Sequence, residues 1–471
     1  MRTIDKVYID GQFVTPHGQE LFDLFNPATE ARIGQVRLGD AIDARAAVAA
    51  AKRAFPAYSR TSKAERIALL HRLHDAVAAR TDVLVAAMIE EYGAPQAFVG
   101  FSAAHAANLF LDMARTLEAF DFTQTLGGAE VTLQPMGVVA AISPWNSNFG
   151  SICGKLATAL AAGCTVVIKP SEMSAIQTQV LAEALHEAGV PPGVFNIVNG
   201  RGDVVGAELS SHPDVAKVIF TGSTPVGRSI MRAAAETMKR VTLELGGKGP
   251  NIILPDADLE AAISTVVAVG FLNSGQACIA GTRVLAPRSR MPEILERLKA
   301  AVAALKVGAA TDPAVTIGPM VSQKQWDRVQ GYIHLGLGEG AKLLVGGEGR
   351  PVGLDRGWFV HPTVFTGVNN DMRIAREEIF GPVLCVIPYD DEDEAVAIAN
   401  DTTYGLQAYV ESADLAHAHR VAERLESGRV VINGAPHAPL APFGGFKQSG
   451  IGREYGRYGL EAHLEVRAIL G

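Results

Sequence analysis

From about residue 137 the apolar positions come in short runs separated by longer amphipathic stretches. β-type runs occupy 138–142, 165–168, 194–198, 217–220 and 241–245, with helical stretches between them at 152–162, 175–188, 204–211 and 226–238. Gly163, Gly189 and Pro191-Pro192-Gly193 punctuate the helix ends. Alternation at this spacing predicts a parallel sheet covered by helices on both faces, with ligands bound at the carboxyl ends of its strands. A second α/β unit is expected from about Gly247 to about Glu426. The N-terminal third reads as helical. Asp40 is placed to cap an Ala-rich helix through about Phe55, and Thr61 to cap another towards Gly93, on which Leu69, Leu70, Leu73 and Val77 share a face. Residues 120–133 alternate around Gly127-Gly128 as a β-hairpin, and 463–470 alternate too; these are candidate strands for pairing between subunits.

A length of 471 residues implies two or three domains. The chain is 48% hydrophobic and 20% charged with a net charge of −8, a balance that lacks the basic face of a nucleic-acid partner. Cys153, Cys164, Cys278 and Cys385 are too few and too scattered for a disulfide framework or a zinc site, so no metal is expected and a reducing cytoplasm fits. The first residues carry no apolar signal core. Two long uncharged stretches, 135–154 and 261–282, contain Asn146, Asn148, Asn273 and Gln276 within turn-forming segments, which are costly in lipid. Both read as buried segments that run into functional loops, so no membrane partner is expected.

Several motifs fall at the strand ends. Ser143-Pro144-Trp145-Asn146 follows the first strand, where an amide could donate to an oxyanion; the same residues also make an ordinary turn. Lys169-Pro170-Ser171-Glu172 follows the second, where an acidic residue can hold ribose hydroxyls or simply face solvent. The segment 221–229, with Gly222 and Gly227, almost matches a phosphate loop, but Arg228 replaces the lysine and Pro225 removes a donor; a helix start that accepts a pyrophosphate stays open. Glu244 precedes Gly246-Gly247 and reads either as a turn feature or as a general base whose pKa rises in an apolar crevice. Cys278 follows a Ser274-Gly275-Gln276 turn that interrupts an apolar run; an unpaired cysteine is usually core, but a thiol held at a loop edge can be a nucleophile.

Taken in order, Pro144-Trp145-Asn146, Lys169-Pro170-Ser171-Glu172, Phe220-Thr221-Gly222 with Gly227, Leu243-Glu244-Leu245-Gly246-Gly247, Gly275-Gln276-Ala277-Cys278, Glu377-Glu378-Ile379-Phe380-Gly381-Pro382 and Pro442-Phe443-Gly444-Gly445-Phe446-Lys447 resemble the aldehyde dehydrogenase superfamily across essentially the whole chain. The resemblance implies a Rossmann-like NAD-binding domain (1–115 and 136–246), an α/β catalytic domain (247–448) and a small β oligomerisation unit (116–135 and 459–471) in a homotetramer or homodimer. It implies Cys278 as nucleophile, Asn146 with the Cys278 N–H as oxyanion hole, Glu244 as base, and Lys155 and Glu454 as a proton relay to it. For the cofactor it implies Lys169, Ser171 and Glu172 at the adenosine ribose and Gly222, Ser223 and Gly227 at the pyrophosphate. Ile142, Ser143, Trp145, Phe220, Leu245 and Gly246 then line the groove, with Glu378 and Phe380 at the nicotinamide ribose. Glu172 favours NAD, with NADP as the alternative. A redox-free cysteine esterase would leave the cofactor motifs unexplained, Glu244 favours water over CoA as acceptor, and intact Cys278, Glu244 and Asn146 weigh against a non-catalytic scaffold. Ser151 and Gly154 stand where bulky tunnel residues are common, so a wide tunnel is expected; no arginine is evident to grip a distal carboxylate. The expected substrate is a medium or bulky uncharged aldehyde, aromatic or aliphatic.

Overall fold

Two large sheets organise the chain, and both arise from the short apolar runs. The computed structural model describes residues 2–471. The first sheet has eight strands in the order Gly450–Ile451, Arg240–Glu244, Val215–Thr221, Val138–Ile142, Thr165–Lys169, Phe195–Ile197, Val7–Ile9 and Gln12–Val14. Its five central strands are parallel, and the edges at either side are antiparallel. Val138–Ile142 and Thr165–Lys169 are buried along their whole length, as strands covered on both faces must be. Chain order reverses between Val138–Ile142 and Val215–Thr221, which lie side by side. A crevice therefore opens beyond their carboxyl ends, and Ser143–Asn146 and Gly222–Ser223 lie at those ends.

The second sheet runs Lys342–Val345, Thr363–Thr366, Val383–Tyr389, Arg283–Pro287, Pro250–Ile253, Gln407–Glu411 and Arg429–Ile432; only the first of these is antiparallel. It extends slightly past the expected end at Glu426, because Arg429–Ile432 adds an edge strand. Gly450–Ile451 then returns to the first sheet and pairs with Leu243 and Glu244. That return ties the C-terminal segment to the strand that carries Glu244.

The helical reading of the N-terminal third holds only from residue 41. Residues 2–37 supply five strands, three of them in a separate sheet of Arg2–Ile4, Arg32–Arg37 and Leu21–Phe25. Strands of three to six residues are too short to impose a clear period. Asp40 does cap the helix Ala41–Tyr58, in a capping box with Asp43. The next cap is Ser62 and not Thr61, whose hydroxyl donates to the Tyr58 carbonyl and so finishes the preceding helix. That second helix ends at Ala78, and a separate helix, Thr81–Glu91, follows.

The hairpin forms as expected, with Thr123–Leu126 and Ala129–Pro135 joined through Gly127 and Gly128. Their φ values of 54° and 85° are the positive pair such a turn requires. The tail strand Leu464–Ile469 pairs antiparallel with Ala129–Pro135 over six residues, giving a three-stranded sheet within the chain. No helix among the described residues is long and apolar enough to cross a membrane, and no cluster of three metal-ligating side chains occurs among them.

Candidate active site

The helix Leu259–Gly270 stops at a tight turn, Leu272–Gly275. Asn273, Ser274 and Gly275 take successive positive φ values of 53°, 59° and 73°. Two of these are not glycine, so the turn is strained and needs its surroundings to hold it. Ser274 Oγ accepts from the Gly318 N–H (2.8 Å), and Gln276 donates to the Pro319 carbonyl (3.2 Å) while accepting from the Val321 N–H (3.0 Å). A Cβ on Gly275 would lie 2.1 Å from the Gly381 carbonyl oxygen. The turn delivers Cys278, the only one of the four cysteines that is not fully buried.

The Cys278 thiol is pushed up to about 12, chiefly by burial and then by the carboxylates of Glu378 and Glu244; the backbone N–H groups of Cys278 and Ile279 face the sulfur and oppose that rise. The side chain of Asn146 donates to the Gln276 carbonyl (2.9 Å), which brings its amide to the same loop. Two glycines make the next approach possible. A Cβ on Gly247 would stand 2.3 Å from the Cys278 carbonyl oxygen, and one on Gly246 would stand 2.6 Å from a Glu378 carboxylate oxygen. Glu378 accepts from the Gly247 N–H (3.0 Å), so the Gly246-Gly247 pair joins Glu244, Cys278 and Glu378.

Glu244 ends the strand Arg240–Glu244 and is buried, with neither carboxylate oxygen hydrogen-bonded. Burial first, and the Glu454 carboxylate second, hold its pKa well above the ordinary carboxyl range; Lys155, Arg453 and Arg429 pull the other way. Lys155, on the helix Asn148–Ala162, is itself buried, donating to Glu454 (2.8 Å) and to the Thr221 hydroxyl (2.7 Å). The chain thus collects a thiol, a raised carboxyl, an amide donor and a buried ion pair where the two sheets meet.

The cofactor-side expectations cluster in the crevice. Ser143 N–H donates to the Lys169 carbonyl (3.0 Å), knitting the first two strand ends together beside the buried Ile142. Buried Lys169 pairs with Glu172 (3.2 Å), and burial lowers its pKa. Ser171 is engaged locally, accepting from the Met173 N–H (3.3 Å) to cap the turn Glu172–Ser174. Phe220 lies beneath Gly222, and Gly227 packs on Leu245, where a Cβ would come within 2.5 Å of a leucine methyl. Ser223 begins the helix Thr224–Ala235 with no side-chain cap, leaving its first N–H groups directed into the crevice. Trp145 packs edge-on against both Tyr92 (5.6 Å) and Phe380 (5.4 Å). Arg201, 3.8 Å from Glu172 and stacked on Phe22, is a neighbour that sequence reasoning missed; it lies outside every motif.

On the opposite side, the expected wide tunnel is not what Gly154 makes. A Cβ there would meet Tyr455 at 3.3 Å and Leu109 at 3.4 Å, so Tyr455 fills the space the glycine leaves. Ser151 turns back to hydrogen-bond Ser143 (3.3 Å). Leu109, Met113, Pro439 and Tyr455 line a small cavity with Gly154, His437 packs edge-on against His105 (5.0 Å), and Phe443 stands 6.0 Å from Tyr455. Arg429, which lies outside every motif, stacks over the Phe443 ring at 5.1 Å. Its one visible signal was its position ahead of the apolar run Val430–Ile432.

Fold and site together define a class of enzymes with a parallel-sheet cofactor crevice facing a cysteine-bearing second α/β unit. Residues 13–469 match the Aldehyde dehydrogenase family, and the chain belongs to it. The chain is similar to a 3-succinoylsemialdehyde-pyridine dehydrogenase of a Pseudomonas species, at 48% identity over all of this chain and 99% of that one. A putative aldehyde dehydrogenase of Staphylococcus aureus is 44% identical over the same shares. Among solved structures, a mutant of aldehyde dehydrogenase C from Pseudomonas syringae complexed with NAD+ and octanal superimposes with a TM-score of 0.98 at 44% identity, covering 99% of this chain and 96% of that one. A Mycobacterium tuberculosis aldehyde dehydrogenase complexed with NAD+ gives 0.97 at 42% identity, covering 99% and 98%.

Proposed function

We propose that this enzyme oxidises an aldehyde to its carboxylic acid with NAD, through a thioester on Cys278 that Glu244 helps water to hydrolyse. The observation that carries the reading is Glu244, a buried carboxyl with raised pKa and no hydrogen-bond partner, set against the Cys278 loop. A buried polar group left without partners in a native site calls for a reactant.

The crevice residues fit NAD. The uncapped helix start at Ser223 offers N–H donors to a pyrophosphate, Lys169 and Glu172 suit ribose hydroxyls, and Trp145 and Phe380 offer aromatic faces. Glu378 would hold the second ribose, and its bond to Gly247 N–H keeps it beside Cys278. When bound, NAD supplies the hydride acceptor.

Cys278 Sγ attacks the aldehyde carbon as its proton passes to ionised Glu244 and on to solvent, because a thiol held near 12 is a weak nucleophile until deprotonated. The carbonyl oxygen becomes an oxyanion facing the Asn146 amide and the Cys278 N–H; one such donor lowers the barrier by about 2.7–4 kcal/mol. After oxidation, a water attacks the thioester carbon, giving a proton to Glu244 as the C–S bond breaks and the thiolate departs. Lys155, bonded to Glu454, provides a buried route by which Glu244 can pass that proton on.

Leu109, Met113, Pro439 and Tyr455, which line the small cavity together with Asp112 and Thr158, favour a medium-sized uncharged aldehyde, aromatic or aliphatic. The pyridine semialdehyde and octanal named for similar proteins agree with that class. The three-stranded sheet of hairpin and tail is the surface through which the protein would form a homo-oligomer. Production of NADH over a panel of aldehydes tests the reading: turnover of medium-length or aromatic aldehydes is expected, and higher kcat/KM on short semialdehydes than on aromatic aldehydes refutes the substrate class.

A further inference from the structure

Arg429 is an unusual arginine. Arg66 and Arg283 spend every donor group: Arg66 on Thr61, Ala161 and Ser59, and Arg283 on Lys248, Asn370, Ile398 and Ala399. Arg429, half-buried, keeps its Nη2 out of solvent with no hydrogen-bond partner among the described residues. The one carboxyl group acting on its charge is Glu244, whose own oxygens are also unpartnered. A buried charged donor left unpaired is expensive unless a ligand completes it.

Its place in the fold says what that ligand is. Arg429 opens the edge strand Arg429–Ile432 in register with Gln407, whose Oε1 is likewise buried and unpaired. Gln407 donates to Tyr409 (2.5 Å), and Tyr409 donates to the carbonyl of Ile279, the residue next to Cys278 (2.8 Å). On its other side the guanidinium lies over Phe443, which leads through Tyr455 to Gly154. His105 and His437 complete the surroundings, and burial holds both towards the neutral form. Arg429 is therefore a cation with one buried, unpaired donor, set over the Phe443 ring a few side chains from the nucleophile.

We infer that Arg429 is a specificity-determining residue, which donates to a carbonyl or carboxylate oxygen carried by the aldehyde substrate several atoms from its reacting carbon. The inference rests on the proposed aldehyde oxidation; a ketone acceptor narrows the uncharged substrate class to oxo-aldehydes, whereas a carboxylate acceptor replaces that class with semialdehydes. A guanidinium donates to either oxygen, and discrimination follows because an aldehyde lacking the acceptor leaves the donor unpaired in the complex.

The test uses the full-length enzyme with NAD and three aldehydes of similar reach: hexanal, 5-oxohexanal and 5-oxopentanoate. The wild type is expected to favour one acceptor-bearing aldehyde over hexanal in kcat/KM, and which one wins identifies ketone or carboxylate. In Arg429→Met and Arg429→Gln that preference ratio is expected to fall at least about tenfold, mostly through KM, with Arg429→Lys recovering part of it. An unchanged ratio in any soluble Met or Gln variant overturns the inference, as does a parallel fall for all three aldehydes, which would mark a packing role. Wild-type turnover of hexanal without preference also overturns it while leaving aldehyde oxidation intact. Absence of NADH with every aldehyde overturns both.

Discussion

Glu244 and Cys278 are both raised by burial, so each needs the site around it before it can react. Cys278→Ala is expected to lower turnover at least about a thousandfold while NAD still binds, checked by NADH production and by titration of cofactor binding. Glu244→Gln is expected to stop after the first half-reaction, seen as a rapid burst of about one NADH per site. The pH dependence follows from the neighbours. Glu244 acts as base only when ionised, so activity falls as pH drops through its raised pKa. Removing the Glu454 charge lowers that pKa; Glu454→Gln is therefore expected to move the acid limb of the pH–rate profile to lower pH, by on the order of one unit. Lys155→Met removes an opposing charge and is expected to move it the other way. Because the carboxyls interact, the limb belongs to the pair and not to one residue. The motif residues were legible through the family resemblance that their order along the chain carries, since each turn taken alone also read as an ordinary strand or helix end. Arg429, Arg201 and Tyr455 were not, since their roles depend on which distant ring or carboxylate packing brings near.

Among the elements, the parallel strands were readable because full burial leaves continuous apolar runs, and their limits moved by only a residue or two. The N-terminal strands were not, being short and half exposed. The turn that carries Cys278 is the most demanding element. Gly275→Ala adds a Cβ to a left-handed residue against the Gly381 carbonyl, and a loss of at least about 1–3 kcal/mol is expected from backbone strain, read as a lower melting temperature together with lost activity. Another element is held by a buried acid. Glu91, at the end of the helix Thr81–Glu91, accepts from the N–H groups of Ile176 (2.8 Å) and Gln177 (3.1 Å), and burial pushes it up to about 8. Its folded pKa lies above the unfolded one, so its stabilising contribution is complete below the ordinary carboxyl pKa and is lost as pH rises through about 8. Glu91→Gln is expected to flatten the decline in melting temperature between pH 5 and 8.

At the scale of the whole molecule, the C-terminal segment does more than close the chain. Gly450–Ile451 adds to the first sheet, Glu454 pairs with Lys155, Tyr455 fills the space beside Gly154, and Leu464–Ile469 covers the hairpin. Deleting residues 464–471 is expected to bare the edge of Ala129–Pro135 and to increase aggregation, measured by size-exclusion chromatography with light scattering. The Lys155–Glu454 bond spans 299 positions, and Cys278 lies within that span, 176 positions before Glu454. Protein chains emerge N-terminus first, so the nucleophile is made well before the carboxylate that completes the buried pair. Closure of the proposed site is therefore a late event in the life of each chain, since Glu244 and Cys278 are both made long before the Lys155–Glu454 pair can form.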